Sequence, residues 1–355
     1  MVRDVTNTTN GYLPRSLLLQ WHITERCDHS CRHCYQEGTL ADLPFDTLLT
    51  ILEQFRSLLA RLCSESPHRI PAHITISGGE PFLRDDFFDL LQRLHDLRRE
   101  FSFAILTSGS LIDAATAMRL KLLAPKFVQV SLEGKKETHD SIRGRGDFER
   151  VLAAIHYLKK AGVPVLISFT AHRGNFREFG QVAAIGRKLG VKRVWADRFV
   201  PLGGAASQRD LVLTPQETDD FLGILATANK KRPLLPCPTE VATLRALQFR
   251  AGGGKPYRCQ AGRELLTVMA DGTLAPCRRM PLLIGNLLED NLSELYFESP
   301  LLRELREDKI PTECGACFYR ELCGGGLRCL SQAMQGSFNL ADPGCSMLQH
   351  PSCSS

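Results

Sequence analysis

Nowhere in its 355 residues does the chain hold an apolar run long enough to cross a bilayer, so no membrane-spanning role is expected. Its first fifteen residues are polar and lack the charged-then-apolar layout of a signal peptide, which makes a cytoplasmic protein the expectation. Runs of like charge are missing as well. The 44 basic residues are set against 39 acidic ones for a net charge of +5, too even a balance to call for a nucleic-acid partner. A mildly basic face of this kind does suit an acidic electron-donor protein. No repeat or coiled-coil heptad organises the chain. With 43% apolar and 23% charged residues the composition is that of a globular protein. This length can bury one large core or two smaller ones, so a catalytic domain with an appendage is expected.

Cysteine is scarce in the middle and crowded at both ends. Of 13 cysteines, Cys27, Cys31 and Cys34 sit together near the start and eight lie from Cys259 onward, with only Cys63 and Cys237 between. In a reducing compartment such crowding reads as metal ligation rather than disulfide bonding. Cys63, on an amphipathic stretch, reads as a core residue. Cys353, in a Ser-rich tail, carries no assignment.

Between the cysteine groups, short β-rich runs alternate with amphipathic ones. Strands are expected at 16–23, 73–76, 103–107, 127–132, 163–169 and 193–200. Helices are expected near 44–62, 85–98, 112–123, 147–161, 175–189 and 214–229. Alternation of this kind argues for an α/β fold with a parallel sheet and right-handed crossovers. Six units make a partial, TIM-like (β/α)6 barrel with its functional loops at the strand C-termini. The expected organisation is an N-terminal extension over 1–16, the barrel over 17–235, a Pro- and Gly-broken connector over 236–258, and a small cysteine-rich domain over 259–350. A domain so poor in periodic structure needs staples, which metal clusters can provide.

The strongest chemical signal is the C-x3-C-x2-C loop of Cys27, Cys31 and Cys34, directly after the first strand and followed by Tyr35. Three close thiolates can hold three irons of a [4Fe–4S] cluster and leave the fourth open. Zinc would need a fourth ligand from His22, His29 or His33, and the spacing is not a standard zinc one. Ser77-Gly78-Gly79-Glu80-Pro81 follows the second strand, where glycines permit close backbone approach and a carboxylate can pair with an ammonium.

Taken in order, these motifs resemble the radical S-adenosylmethionine (SAM) superfamily. Thr107-Ser108-Gly109 stands where that family often has Thr-Asn-Gly. Ser131-Leu132-Glu133-Gly134, His139-Asp140 and Arg143-Gly144 resemble its next segments. By that resemblance Tyr35, Gly78, Gly79, Glu80, Pro81, Ser108, Ser131 and Arg143 are the expected SAM contacts, with Arg143 pairing the methionine carboxylate. The bland reading of Glu133 and Asp140, charges at a helix-start turn, stands beside it.

The C-terminal cysteines resemble the SPASM domain of the same enzymes, which implies two auxiliary [4Fe–4S] clusters. By position Cys259, Cys277 and Cys329 would contribute to the first, and Cys314, Cys317, Cys323 and Cys345 would hold the second. The pattern departs at Leu327, where the family has cysteine. Cys329 is displaced by two residues across Gly324-Gly325-Gly326; Cys237 is an alternative fourth ligand of the first cluster, or one of its irons stays open for substrate. A zinc ribbon at Cys314-x2-Cys317 is the weaker reading.

The resemblance implies reductive cleavage of SAM to a 5′-deoxyadenosyl radical, with electrons from a flavodoxin- or ferredoxin-type donor. It further implies modification of a ribosomally made peptide or protein side chain by crosslinking or oxidation. Only about sixteen residues precede the first strand, so any leader recognition is expected from a separate protein or from another surface of the chain. The alternatives are tetrapyrrole side-chain chemistry, sulfatase maturation with Asp197 as a weak candidate base, and a non-catalytic iron–sulfur protein for electron transfer or redox sensing.

Overall fold

The structure, a computed structural model, describes residues 7–8, 11–36, 40–230, 239–252 and 256–348. Cys237 and Cys353 lie outside them. Two compact units emerge, one drawn from residues 1–28, 38–106 and 260–308 and the other from 29–37, 107–259 and 309–355.

The first unit begins with strand β1 (Leu17–His22), helix α1 (Phe45–Glu65), β2 (Ala72–Ser77), α2 (Phe87–Asp96) and β3 (Ser102–Thr107). β1 pairs parallel with β2 from Leu17↔Ala72 to His22↔Ser77, and β2 pairs parallel with β3 from His73↔Ser102. α1 forms because Leu48, Leu52, Phe55, Leu59 and Leu62 recur at helical spacing and are buried together. Each such side chain contributes about 2 kcal/mol on burial.

The second unit continues the alternation through α3 (Ala114–Leu123), β4 (Val128–Ser131), α4 (Lys136–Arg143), α5 (Asp147–Ala161), β5 (Val165–Ala171), α6 (Phe179–Leu189), β6 (Arg193–Arg198) and α7 (Pro215–Asn229). β4, β5 and β6 pair parallel in that order. Asp113 caps α3 by accepting from Thr116 N–H at 2.7 Å, and Thr214 with Glu217 forms a reciprocal capping box on α7. Beyond the expected elements come α4 and β7 (Glu240–Ala242), the latter pairing parallel with β6 inside the stretch read as a connector.

Residues 260–308 return to the first unit. β8 (Leu265–Val268) pairs parallel with β1, Leu265 opposite Leu18, and then antiparallel with β9 (Thr273–Ala275), which leads to β10 (Gly285–Asn286). α8 (Leu292–Glu298) and α9 (Pro300–Glu307) close this unit. Gln54 of α1 ties the segment down, donating to Leu287 O at 2.9 Å and accepting from Leu292 N–H at 2.8 Å. Residues 309–348 belong to the second unit and carry α10 (Arg320–Cys323) and α11 (Arg328–Gln335). Among the described residues no helix is long and apolar enough to cross a membrane.

Candidate functional site

In the first unit, the Gly-Gly-Glu turn leaves β2 and lies directly against the chain that runs from β1 to Cys27. Ile23 N–H donates to Ser77 O, Gly79 N–H to Thr24 O at 2.9 Å and Glu80 N–H to Arg26 O at 2.8 Å. A Cβ at Gly78 would stand 2.4 Å from Thr24 O, and one at Gly79 would stand 2.2 Å from Arg26 O. Only glycine allows two backbones this close. Glu80 is fully buried and accepts from Phe82 N–H, and Pro81 opens the short turn that follows. Buried Arg84 braces the same segment, donating to Ile23 O, to Leu43 O and twice to Asp86.

In the second unit, the rest of the cysteine loop rests on the residues that follow β4. Glu133, 1% exposed, is the hub. Its Oε1 accepts from Arg143 Nη2 at 2.7 Å and Nε at 3.2 Å, and stands 3.5 Å from His33 Nε2; its Oε2 accepts from Thr170 N–H at 2.9 Å. The free arm of Arg143, Nη1, lies 3.9 Å from the Cys31 sulfur. Burial alone would raise the Glu133 carboxyl, but the Arg143 guanidinium and His33 hold it far below the carboxylate range. Burial likewise disfavours the Arg143 cation, and Glu133 and Cys31 more than restore it. The SLEG carboxylate is therefore a buried ion-pair member rather than a surface charge. Asp140 does follow the bland reading, accepting from Gly146 and Phe148 N–H groups to close the loop between α4 and α5.

A second buried carboxylate lies behind the loop. Asp147, the first residue of α5, accepts from His29 at 2.9 Å and from His139 at 3.0 Å. Burial would raise this carboxyl too, and the two imidazole donors instead hold it well below the usual range. The cysteine loop is further fixed by Arg32 N–H on Ile142 O and by the carbonyl of Tyr35, which packs on Gly203 where no side chain fits. Gln36 N–H points at the Cys34 sulfur at 3.4 Å, a donor suited to a thiolate. At the end of β5, His172 accepts from Gly174 N–H, and burial together with His33 pushes its imidazole down to about 4.

The C-terminal quartet also comes together inside the second unit. Burial and the neighbouring thiols of Cys323, Cys345 and Cys317 push Cys314 up to about 12. Burial, Asp342 and Cys345 push Cys323 up to about 11, with Cys317 adding to it. A group of thiols in which Cys323, Cys345 and Cys317 oppose the ionisation of Cys314 suits a positively charged cluster, so this donor set fits an auxiliary [4Fe–4S] site. Asp342 organises its surroundings. It is ion-paired with buried Arg198, accepts from Leu327 N–H at 2.8 Å and Gly344 N–H at 2.9 Å, and its carbonyl accepts from Cys345 N–H. Cys329 is buried on α11 and feels the Arg198 guanidinium.

The other predicted residues are placed as follows. Ser131 Oγ, at the end of β4, lies 3.5 Å from Ser168 Oγ in the middle of β5, and Ser108 bonds Ser110 just after β3. Asp197 accepts from Arg198 N–H and is ion-paired with Arg245 at 3.3 Å. Cys27 and Cys277 lie in the first unit; Cys31, Cys34 and Cys259 lie in the second. Sequence reasoning missed Asp147 and Asp342 altogether and treated His29 only as a possible zinc ligand.

Residues 21–183 match the family model described as the radical SAM superfamily, and residues 259–318 match SPASM, an iron–sulfur cluster-binding domain. The chain is 25% identical to the AdoMet-dependent heme synthase of Methanosarcina barkeri over 345 residues, 92% of this chain and 95% of that one. It is 25% identical to the PqqA peptide cyclase of Granulibacter bethesdensis, over 94% and 87% of the two chains. The solved structure of native anSMEcpe with bound AdoMet and Cp18Cys peptide superposes with a TM-score of 0.73 at 21% identity, covering 95% of both chains. That likeness is one of fold. The architecture is a partial TIM-like barrel with a cysteine-rich C-terminal region.

Proposed function

The chain is an enzyme that carries a radical SAM domain and, C-terminal to it, a SPASM domain, and from that premise we propose that it modifies a peptide or protein side chain by radical chemistry. The first domain binds a [4Fe–4S] cluster and SAM, and the second binds auxiliary iron–sulfur clusters. When bound, the cluster and SAM supply one-electron cleavage of the sulfonium to a 5′-deoxyadenosyl radical that abstracts hydrogen from the substrate. Cys27, Cys31 and Cys34 are the proposed cluster thiolates. Gly78 and Gly79, whose turn packs on Thr24 and Arg26, are the proposed backbone contacts of SAM, and buried Glu80 is the proposed partner of its ammonium. Arg143 is turned on Glu133 and Cys31, which favours a role beside the cluster over a salt bridge to the methionine carboxylate alone.

The observation that carries the substrate reading is the neutralisation of three arginines around the strand ends of the second unit. Arg143 is paired with Glu133, Arg198 with Asp342, and Arg245 with Asp197. A tetrapyrrole carries several carboxylates and calls for unpaired cations to seat them; a peptide does not. Relatives named PqqA peptide cyclase support this reading. The tetrapyrrole reading draws its support from relatives of equal similarity named AdoMet-dependent heme synthase.

One experiment separates the two. Anaerobically reconstituted, dithionite-reduced enzyme is given SAM with either a Cys- or Gly-rich peptide from a short reading frame beside its gene, or Fe-coproporphyrin III. Peptide-dependent release of 5′-deoxyadenosine with a mass change in the peptide is the expected result. Release stimulated only by the porphyrin overturns the substrate reading, and no SAM cleavage under any condition overturns the radical one.

A further inference from the structure

Two histidines and one aspartate lie behind the cysteine loop, all almost wholly buried: the side chains of His29, His139 and Asp147 are 3%, 0% and 0% exposed. His29 belongs to the loop itself, between Cys27 and Cys31. Its Nε2 lies 2.9 Å from Asp147 Oδ1, and His139 Nε2 lies 3.0 Å from Oδ2. The tautomer of His139 is set by its other nitrogen, which accepts the Glu133 N–H at 3.1 Å. The proton therefore sits on Nε2 and is donated to Asp147. One carboxylate thus grips the cysteine loop with one oxygen and the Glu133–Arg143 segment with the other. The backbone bond from Arg32 to Ile142 and the approach of His33 to Glu133 join the same two pieces at neighbouring points.

We propose that Asp147 is a positioning residue that clamps the cluster-binding loop, through His29, to the segment bearing Glu133 and Arg143. This rests on the reading that Cys27, Cys31 and Cys34 hold the cluster. A loop joined only by its own thiolates would lose ligand geometry whenever one bond opened. A buried carboxylate bridging two imidazoles holds the loop in place independently of the metal, the arrangement by which outer partners fix a metal site. The alternative role of Asp147, as a starter of α5, asks only for one oxygen facing the helix N–H groups; it does not ask for a histidine 118 residues away.

The test uses the fully loaded enzyme. Release of iron to a chelator is timed, and the EPR signal and midpoint potential of the SAM-binding cluster are recorded, for wild type, His29→Leu, His29→Gln and Asp147→Asn. The expected result is that His29→Leu and Asp147→Asn release the four irons of that cluster roughly tenfold faster, the typical cost of losing an outer partner. Their EPR signal and potential also shift, while the auxiliary clusters keep theirs. His29→Gln, which retains a donor at similar reach, stays close to wild type. Wild-type release and an unchanged spectrum in His29→Leu overturn the proposal. If His29→Leu fails to fold, a His29→Gln protein that folds yet releases iron as fast as Asp147→Asn overturns it as well. Cys31→Ala separates the two levels: if it keeps all its iron, the cluster reading has failed; if it loses four irons while His29→Leu behaves as wild type, only the clamp has.

Discussion

Arg143 meets Glu133 through two of its nitrogens, at 2.7 and 3.2 Å, in a pocket where the carboxylate is 1% exposed. Replacing Glu133 with Ala leaves a buried guanidinium without its counter-ion. The cost expected for breaking such a pair is about 3–5 kcal/mol, far above that of a surface bridge. The midpoint of denaturant unfolding, followed by far-UV dichroism, should fall accordingly. Arg26→Ala, which breaks the half-exposed bridge to Asp42, is the control and should move it by less than about 1 kcal/mol.

Gly79→Ala tests the backbone contact in the first unit. A methyl group there would stand 2.2 Å from Arg26 O and 2.6 Å from Glu25 O, so the turn or the chain leading to Cys27 must move. The expected outcome is a protein that keeps its fold and auxiliary iron but binds SAM at least about tenfold more weakly, equivalent to about 1.4 kcal/mol. Equilibrium dialysis with labelled SAM reads this directly. Wild-type affinity would place SAM elsewhere.

Much of this architecture could be read from residues alone, for identifiable reasons. β5 is a short run rich in β-branched and aromatic residues (Val165, Ile167, Phe169 and Thr170), and α1 repeats leucine on one face for 21 residues, so both announce themselves. α4 does not: it is eight residues long, mostly polar, and buries only His139 and Ile142. β7 has three residues beside a proline-rich stretch, too short for alternation to register. In the site, thiol spacing is local and therefore legible. The partnerships of Glu133 with Arg143 and of His29 with Asp147 are products of the fold, because a charge that ends up buried looks the same in sequence as one that stays wet.

His22 gives a dependence on pH whose sign is fixed. The imidazole is fully buried at the end of β1, and desolvation, reinforced by Arg278, lowers it from 6.5 to about 3. Below pH 6.5 the unfolded chain takes up a proton that the native protein refuses, so this contribution is complete above that pH and is lost as pH falls toward 3. Between pH 6.5 and 5 the loss is about 2 kcal/mol. Glu133 and Asp147, held below their ordinary range, lose their contributions only under more acid conditions. Thermal midpoints taken from pH 7 to 5 should therefore decline in wild type and decline less in His22→Gln.

Iron counting addresses the displaced cysteine. Cys314 lies among Cys323, Cys345 and Cys317, and Cys329 acts on Arg198, itself paired to Asp342. We propose that the quartet fills one cubane, which takes four protein thiolates at most. On that proposal Cys329 serves a different cluster from the quartet, and losses at the two positions should add. Reconstituted wild type should hold about twelve irons, each of Cys323→Ala and Cys329→Ala about eight, and the double variant about four. EPR would show a different auxiliary signal missing in each single variant. If Cys329→Ala keeps about twelve irons, Cys329 is no ligand; its burial beside Arg198 is then a packing contact, and the first auxiliary site must draw on other residues. If both single variants and the double variant all hold about eight, the two cysteines share one cluster. The quartet would then have to release one of its members.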